Sequence, residues 1–349
     1  MSVNDVFKIK KNAVGIPPGS LEYTGIYKDE KIEIDVIEYN KDEFKRYQID
    51  SFLDLKVVET NNYWINVVGL HKEEIIYQVG NKFDIHHMDL EDIVQVFQRS
   101  KIDINEKYLF SVMKMIYIRN NEIIREHTSI FVKDNVLITL QEKKGDVFDN
   151  LRDRIESRRG QVRSRDITYL YYLILDTLVD SFVIVTHKLE QDLQKIESEQ
   201  LLQDEVNVNH LYTLKKELLY FDRVIDITKG IVSSFIKNES KYFTNRLRPY
   251  YLDLLEHLLQ IDEYLKSFGE ITDNLYDIQM ARVTNETNET VMTLTIFYAI
   301  FIPLSFLAGV FGMNFTHFPG MDYKYSLYIF IIICIVIALG MLRYFSKKK

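Results

Sequence analysis

Three hydrophobic patterns succeed one another along the chain. Up to about residue 165 the pattern changes often: KIEIDVIEY (31–39) alternates apolar and polar positions as a half-buried strand does, and NYWINVVGL (62–70) is similar. YLFSVMKMIYI, SIFVKD and NVLITLQE follow, with Asn120-Asn121 and Asp134-Asn135 as turns. Between them EEIIYQVGNKFDIHHMDLEDIVQVF (73–97) has helical spacing. Over residues 167–248 there is no proline and a single glycine, Gly230. Leu170, Leu173, Ile174, Leu178 and Phe182 recur at three- and four-residue steps there, which predicts long helices. Breaks are expected at Asn207-Val208-Asn209 and over 237–246, before a helix that begins near Pro249, a favoured first-turn residue. The last pattern is two uncharged runs, 21 residues at 291–311 and 18 at 325–342. Each is near the ~20 residues that cross ~30 Å of hydrocarbon as a helix.

The expected fold class is therefore an α/β domain (1–165), a helical region (166–248), a long stalk helix with the first span (249–312, span 291–311), a connecting loop (313–324), a second span (325–345) and a basic tail (346–349). Tyr325, Tyr328, Tyr344 and Phe345 border the second run as interfacial aromatics do. Arg343, Lys347, Lys348 and Lys349 follow it, whereas the loop has only Asp322 and Lys324, so the positive-inside rule places the C-terminus in the cytoplasm. Two spans return the chain to its starting side. The N-terminus is then cytoplasmic too, in keeping with a first stretch that contains Asp5 and no apolar signal core, and the expected location is a cell (inner) membrane in contact with lipid. The lone cysteine, Cys334, lies mid-span and offers no disulfide framework. A net charge of −8 argues against nucleic acid, and no HExxH, Walker A or Gly-rich dinucleotide turn is present, so an enzyme is not expected.

The helix from Pro249 has no further proline until Pro303, so ~60 residues, on the order of 90 Å, can run into the membrane unbroken. A seven-residue grid of four and three steps from Asp277 passes through Ala281, Thr284, Asn288, Val291, Thr295, Tyr298, Ile302, Ser305, Gly309 and Gly312. Backwards it passes through Asn274, Glu270, Ser267, Glu263, Gln260, Glu256 and Asp253. An ordinary coiled-coil seam wants apolar residues on such a line. A solvated outer face fits it, and so does a helix that surrounds water, with an acidic vestibule that gathers cations and then a neck of amides, hydroxyls and aliphatic groups. Drift of ~20° per heptad moves distant positions off the line. At its end Gly312, Met313 and Asn314 follow helix carbonyls without intrahelical partners. In a ring of identical subunits those carbonyls and the Asn314 amide would form a neutral oxygen collar. It suits hydrated Mg²⁺, which gives up water reluctantly.

FGMNF at the end of a proline-containing span, a short loop, a second span and a lysine-rich tail resemble the CorA family of divalent-cation channels, whose signature is Gly-Met-Asn. The resemblance extends to GIPPGSLEYTG, LEDIVQVFQRSK (90–101), LQEKKGDVFD (140–149) and TNETVMTLTIFYAIFIPLSFLAGVFGMNF. It implies a funnel-shaped homopentamer whose first spans line a pore. It implies a filter at Gly312 and Asn314, a polar ring at Asn288, a hydrophobic constriction at Val291, Leu294 and Ile302, and an acidic ring at Asp277. It also implies closure by Mg²⁺ held between neighbouring cytoplasmic domains, with Asp92 facing Asp253, and Glu91 facing Asp176 as a second site. Asp253 thus falls toward the axis on the grid and between subunits by resemblance; heptad drift favours the second. Phe311 replaces the usual Tyr, Ser305 a common Thr, and Tyr298 a small residue, so Tyr298 either turns into a helix interface or adds a constriction.

His86-His87 beside Asp89 reads as surface or packing, because adjacent histidines do not converge on one side of a helix. The glycosylation patterns at Asn314 and Asn285 read as coincidence, and Asp273 with Asp277 as vestibule charge. The function expected is a passive, voltage-driven Mg²⁺ channel that also passes Co²⁺ and Ni²⁺. A zinc or cobalt transporter on the same architecture and a non-conducting membrane-anchored sensor or scaffold are the alternatives.

Overall fold

The computed structural model describes residues 17–201, 208–237, 240–313 and 323–347. Asn207, Asn314 of the expected filter, Asp322 of the expected loop and Lys348 and Lys349 of the tail lie outside the described residues, as does the chain before Pro17. Contacts divide the chain into two units, with the division between Asp273 and Asn274.

The first unit is built on a seven-stranded sheet of order β2-β1-β3-β7-β6-β5-β4. Its strands are β1 (Glu33–Tyr39), β2 (Phe44–Ile49), β3 (Asn62–Val68), β4 (Lys101–Ile104), β5 (Leu109–Arg119), β6 (Glu122–Lys133) and β7 (Val136–Gln141). Only β3 and β7 pair in parallel; every other pairing is antiparallel. The Asn120-Asn121 and Asp134-Asn135 turns form as expected, with φ of 51°, 64° and 52° at Asn120, Asn121 and Asp134. Strand alternation sends Val36, Ile65, Val67, Phe110 and Ile138 to one face, where they pack with Ile76, Val79 and Phe83 of α1 (Glu73–Phe83) and Leu90 and Ile93 of α2 (His87–Val94). The other face is covered by α3 (Asp149–Glu156) and α4 (Ile167–Leu201). There Tyr171 donates its hydroxyl to Ser111 Oγ at 3.2 Å, Ser181 Oγ bonds the Ile116 carbonyl at 2.9 Å, and the Arg152 guanidinium lies 5.2 Å from the Trp64 ring centroid. The result is a three-layer α/β/α sandwich.

Three differences from the sequence pattern have physical causes. The helix expected over 73–97 is two helices, because Asp84 takes the left-handed conformation (φ 56°) and His86 caps α2, its Nδ1 accepting from the Met88 N–H at 3.3 Å. Strands β2 (FKRYQI) and β4 (KIDI) escape the apolar pattern because each is a short strand at a sheet edge with few apolar residues. Helix α4 is long and apolar enough to cross a membrane, yet 72% of its most apolar stretch is buried inside the protein, against 0% for the two C-terminal helices. Its hydrophobicity serves the sheet.

Helices α5 (Val208–Lys237) and α6 (Arg248–Phe311) follow, the latter with Pro249 in its first turn. Within the first unit α6 buries Tyr251, Leu254, Leu258, Ile261, Leu265, Phe268 and Thr272, an unbroken three-four repeat. In the second unit α6 continues through Pro303 without interruption, although proline removes the bond to the Ala299 carbonyl. Phe311 then packs 4.9 Å from Phe330 of α7 (Ser326–Ser346).

The middle of the sheet also buries charge. Glu126 accepts from the Lys143 N–H at 3.0 Å and the Tyr117 hydroxyl at 3.3 Å, and burial pushes its carboxyl up to about 8. A carboxyl raised from 4.5 to about 8 contributes stability that is complete below pH 4.5 and is lost as pH rises to about 8. Glu126→Gln should therefore gain on the wild type by on the order of 2 kcal/mol or more between pH 5 and 8. Thermal melting across that range checks this; a pH-independent difference contradicts it.

Candidate ion path and carboxylate sites

The helix that buries Tyr251 to Thr272 carries, two residues further on, Asp253, Glu256, Gln260, Glu263, Ser267 and Glu270, all exposed. At 100° per residue, an offset of two puts this line roughly 200° from the buried seam, on the opposite side of the helix. In the second unit the line continues through Asp277, Thr284, Asn288, Val291, Thr295, Tyr298, Ile302, Ser305 and Gly309, which are exposed in a single chain. Leu294 is exposed as well but falls roughly 100° away from Asp277 around the helix. Thr284 and Thr295 turn their hydroxyls back to the Met280 and Val291 carbonyls at 2.8 and 2.7 Å, which leaves their methyls outward. Asp273 is not a free vestibule charge: it holds Lys215 at 2.5 Å. The helix ends as the Gly312 N–H bonds the Ala308 carbonyl at 2.9 Å and the Met313 N–H bonds Val310 at 3.3 Å. A side chain at Gly312 would press on the Ala308 oxygen at 3.2 Å.

The four carboxylates that the resemblance assigns to cation binding fall into two groups. Glu91 and Asp92 lie on α2, in one outer layer; Asp176 on α4 and Asp253 on α6 lie in the other. Neither Asp92 with Asp253 nor Glu91 with Asp176 meets within one chain, as sites between subunits require. Asp176 and Asp253 share a surrounding: Asp176 accepts from the Tyr172 hydroxyl at 3.2 Å, and both carboxylates push that phenol up, behind the larger effect of its burial. Burial and then the nearby Asp180 raise the Asp176 carboxyl.

Around Asp92 the structure gathers residues that sequence reasoning missed. Asp89, Asp92 and Asp103 each offer an oxygen, all within 4.8 Å of one another. Lys101 Nζ lies 2.5 Å from Asp92 Oδ2 and 2.7 Å from Asp103 Oδ2. Tyr108 joins the group from β5's approach, accepting from the His86 N–H at 3.0 Å and donating to Asp89 at 2.5 Å. Burial raises the Asp89 carboxyl, against the pull of the Tyr108 bond. The signal was present as spacing: Asp89 and Asp92 are three apart on a helix, and Lys101 and Asp103 two apart on a strand. An all-carboxylate donor set fits a hard, oxygen-seeking cation such as Mg²⁺. Glu91 is already bonded within the chain. Its oxygens accept from the Gly19 N–H and from Gln95 Nε2, both at 2.6 Å, and Gly19 is held at φ 85° with space for a side chain denied by His87 Cδ2 at 2.5 Å. The PPGS stretch is thus clipped to α2, and His86 and His87 serve as cap and packing, as expected.

The family model described as CorA-like Mg²⁺ transporter protein matches residues 59–348. The chain belongs to the CorA family. It is 36% identical over 341 residues to the cobalt/magnesium transport protein CorA of Thermotoga maritima, covering 96% of this chain and 97% of that one. The complete CorA magnesium transporter structure from Methanocaldococcus jannaschii matches with a TM-score of 0.76 at 19% identity, over 90% of this chain and 98% of that one. The cytoplasmic domain of ZntB from Vibrio parahaemolyticus matches with a TM-score of 0.59 at 14% identity, over 72% of this chain and 99% of that one. The chain is thus a divalent-cation transporter of the CorA family, with the α/β domain, long helices and two membrane-capable helices of that fold.

Tyr108→Phe should cost about 1–3 kcal/mol, since it leaves the His86 N–H unpaired and buried Asp89 without its donor. Thermal melting reads the loss; an unchanged melting temperature would mean that water replaces the hydroxyl.

Proposed function

We propose that the chain forms a homopentameric, passive Mg²⁺ channel in the cell membrane, with both termini in the cytoplasm. The observation that carries this reading is the exposed polar line of α6, opposite its buried seam and continuous with the uncharged first span. Brought around one axis, five such lines give acidic groups that end at Asp277, then Thr284 and Asn288, then an aliphatic neck at Val291 and Ile302, to which the resemblance adds Leu294 from beside the line. Thr295 and Tyr298 lie within that neck, Ser305 and Gly309 follow it, and a neutral collar at Gly312, Met313 and Asn314 ends the line. The acidic stretch concentrates cations, and the amides and carbonyls hydrogen-bond the ion's water shell without stripping it. A potential of 100 mV supplies ~4.6 kcal/mol per divalent ion, so transport needs no nucleotide. Co²⁺ and Ni²⁺, of similar size, are expected to share the path.

Closure rests on Asp92 and Glu91 of one subunit facing Asp253 and Asp176 of the next. A divalent cation there supplies the charge that neutralises these groups. Without it the facing carboxylates repel and the subunits separate, which links internal Mg²⁺ to conduction through a coupling free energy. A relative named zinc transport protein ZntB, from Pectobacterium carotovorum and 20% identical over 220 residues, supports Zn²⁺ as the second candidate ion.

Mg²⁺ flux into liposomes containing the purified protein tests the reading. Wild-type flux should fall at least tenfold in Asn314→Ala, and competition by Co²⁺ and Zn²⁺ ranks the ions. No flux with Mg²⁺ absent from the domain side would refute the channel and leave a membrane-anchored scaffold.

A further inference from the structure

Among the described residues, Asp92 carries one ion pair, and it is internal: Lys101 Nζ sits 2.5 Å from Oδ2, while Oδ1 accepts from Gln98 Nε2 at 2.7 Å. Both oxygens of a residue assigned to an incoming cation are therefore already engaged. Lys101 is well placed to hold this position. It opens β4, where its backbone pairs with Val112 of β5, so its stem is anchored in the sheet, and its side chain is one-third exposed at 34%. It is also shared, because Asp103, two residues on along the same strand face, holds the same ammonium at 2.7 Å. The ammonium can retreat to Asp103 without losing a partner. With the Asp92 side chain only 11% exposed, the pair is partly shielded from water, and its desolvation offsets much of its contribution to stability. Its effect on local charge is larger, since a fixed positive charge in contact with Asp92 weakens the attraction of any second cation.

We propose that Lys101 is a tethered cation that competes with the divalent ion for Asp92 and so sets the concentration at which this site fills. The proposal rests on the reading of Asp92 as a regulatory cation ligand. Divalent binding then requires the Lys101–Asp92 pair to open, with Asp103 as the parking place for the released ammonium. A chain without the tether would bind the ion more tightly and close at lower Mg²⁺.

The test is Mg²⁺-dependent protection of the full-length detergent-purified protein from limited proteolysis, with melting temperature in chelator as the folding control. Lys101→Met should lower the Mg²⁺ concentration of half-protection at least threefold, Lys101→Arg should leave it at or above the wild-type value, and Asp92→Asn should raise it at least threefold. Should Lys101→Met fail to fold, Lys101→Gln, which keeps a donor and loses the charge, carries the same expectation. An unchanged or raised midpoint in the neutral Lys101 variants, with Asp92→Asn still raised, overturns the tether and leaves the Asp92 reading standing. An unchanged midpoint in Asp92→Asn overturns that reading, and the tether with it.

Discussion

Everything proposed for regulation depends on one constraint: the sheet stands between the two sets of carboxylates. Glu91 and Asp92 ride on α2 over one face, and Asp176 and Asp253 belong to the helices over the other. A chain cannot fold so as to join them, because the sheet's two faces are filled by the apolar side chains that make it stable. Only another copy of the chain can present one set to the other. Repulsion between such sets is then a property of the assembly, which a cation can cancel without changing the fold of any subunit.

The long helix turns the same logic toward the membrane. Its buried seam ties it to the helical layer through Thr272, and the line opposite is left free for water and charge. One element thus carries the residues proposed for vestibule and neck, and the approach to the Gly312 turn, in a single helix. Pro303 sits inside the span without breaking it, and the back-bonded Thr284 and Thr295 show how hydroxyls on this helix satisfy themselves locally.

Much of this was legible in the sequence. The uncharged runs, the proline-free helices and the main strands with their Asn and Asp turns all follow from period and punctuation. What was not legible has a common cause: it depends on neighbours that are distant in sequence. The edge strands β2 and β4 are short, six and four residues, and carry too few apolar positions to stand out as a pattern. The break at Asp84 is a single left-handed residue inside a helical pattern. The Asp89–Asp92–Asp103 group and the Lys101 pair exist because β4 passes beside α2; spacing marks the two residues within each element, and only the fold brings the two elements together. The role of Glu91 in holding Gly19 is equally non-local, the partners being 72 positions apart.

The most direct test of the central claim is disulfide trapping between Asp92→Cys and Asp253→Cys in one chain whose native Cys334 is replaced by serine, read on a non-reducing gel with Mg²⁺ present. The account predicts a ladder of linked subunits that ends at five, present in the double variant and absent from either single one. A monomer band alone, or a dimer at which linkage stops, would contradict a closed ring in which α2 of each subunit faces α6 of the next.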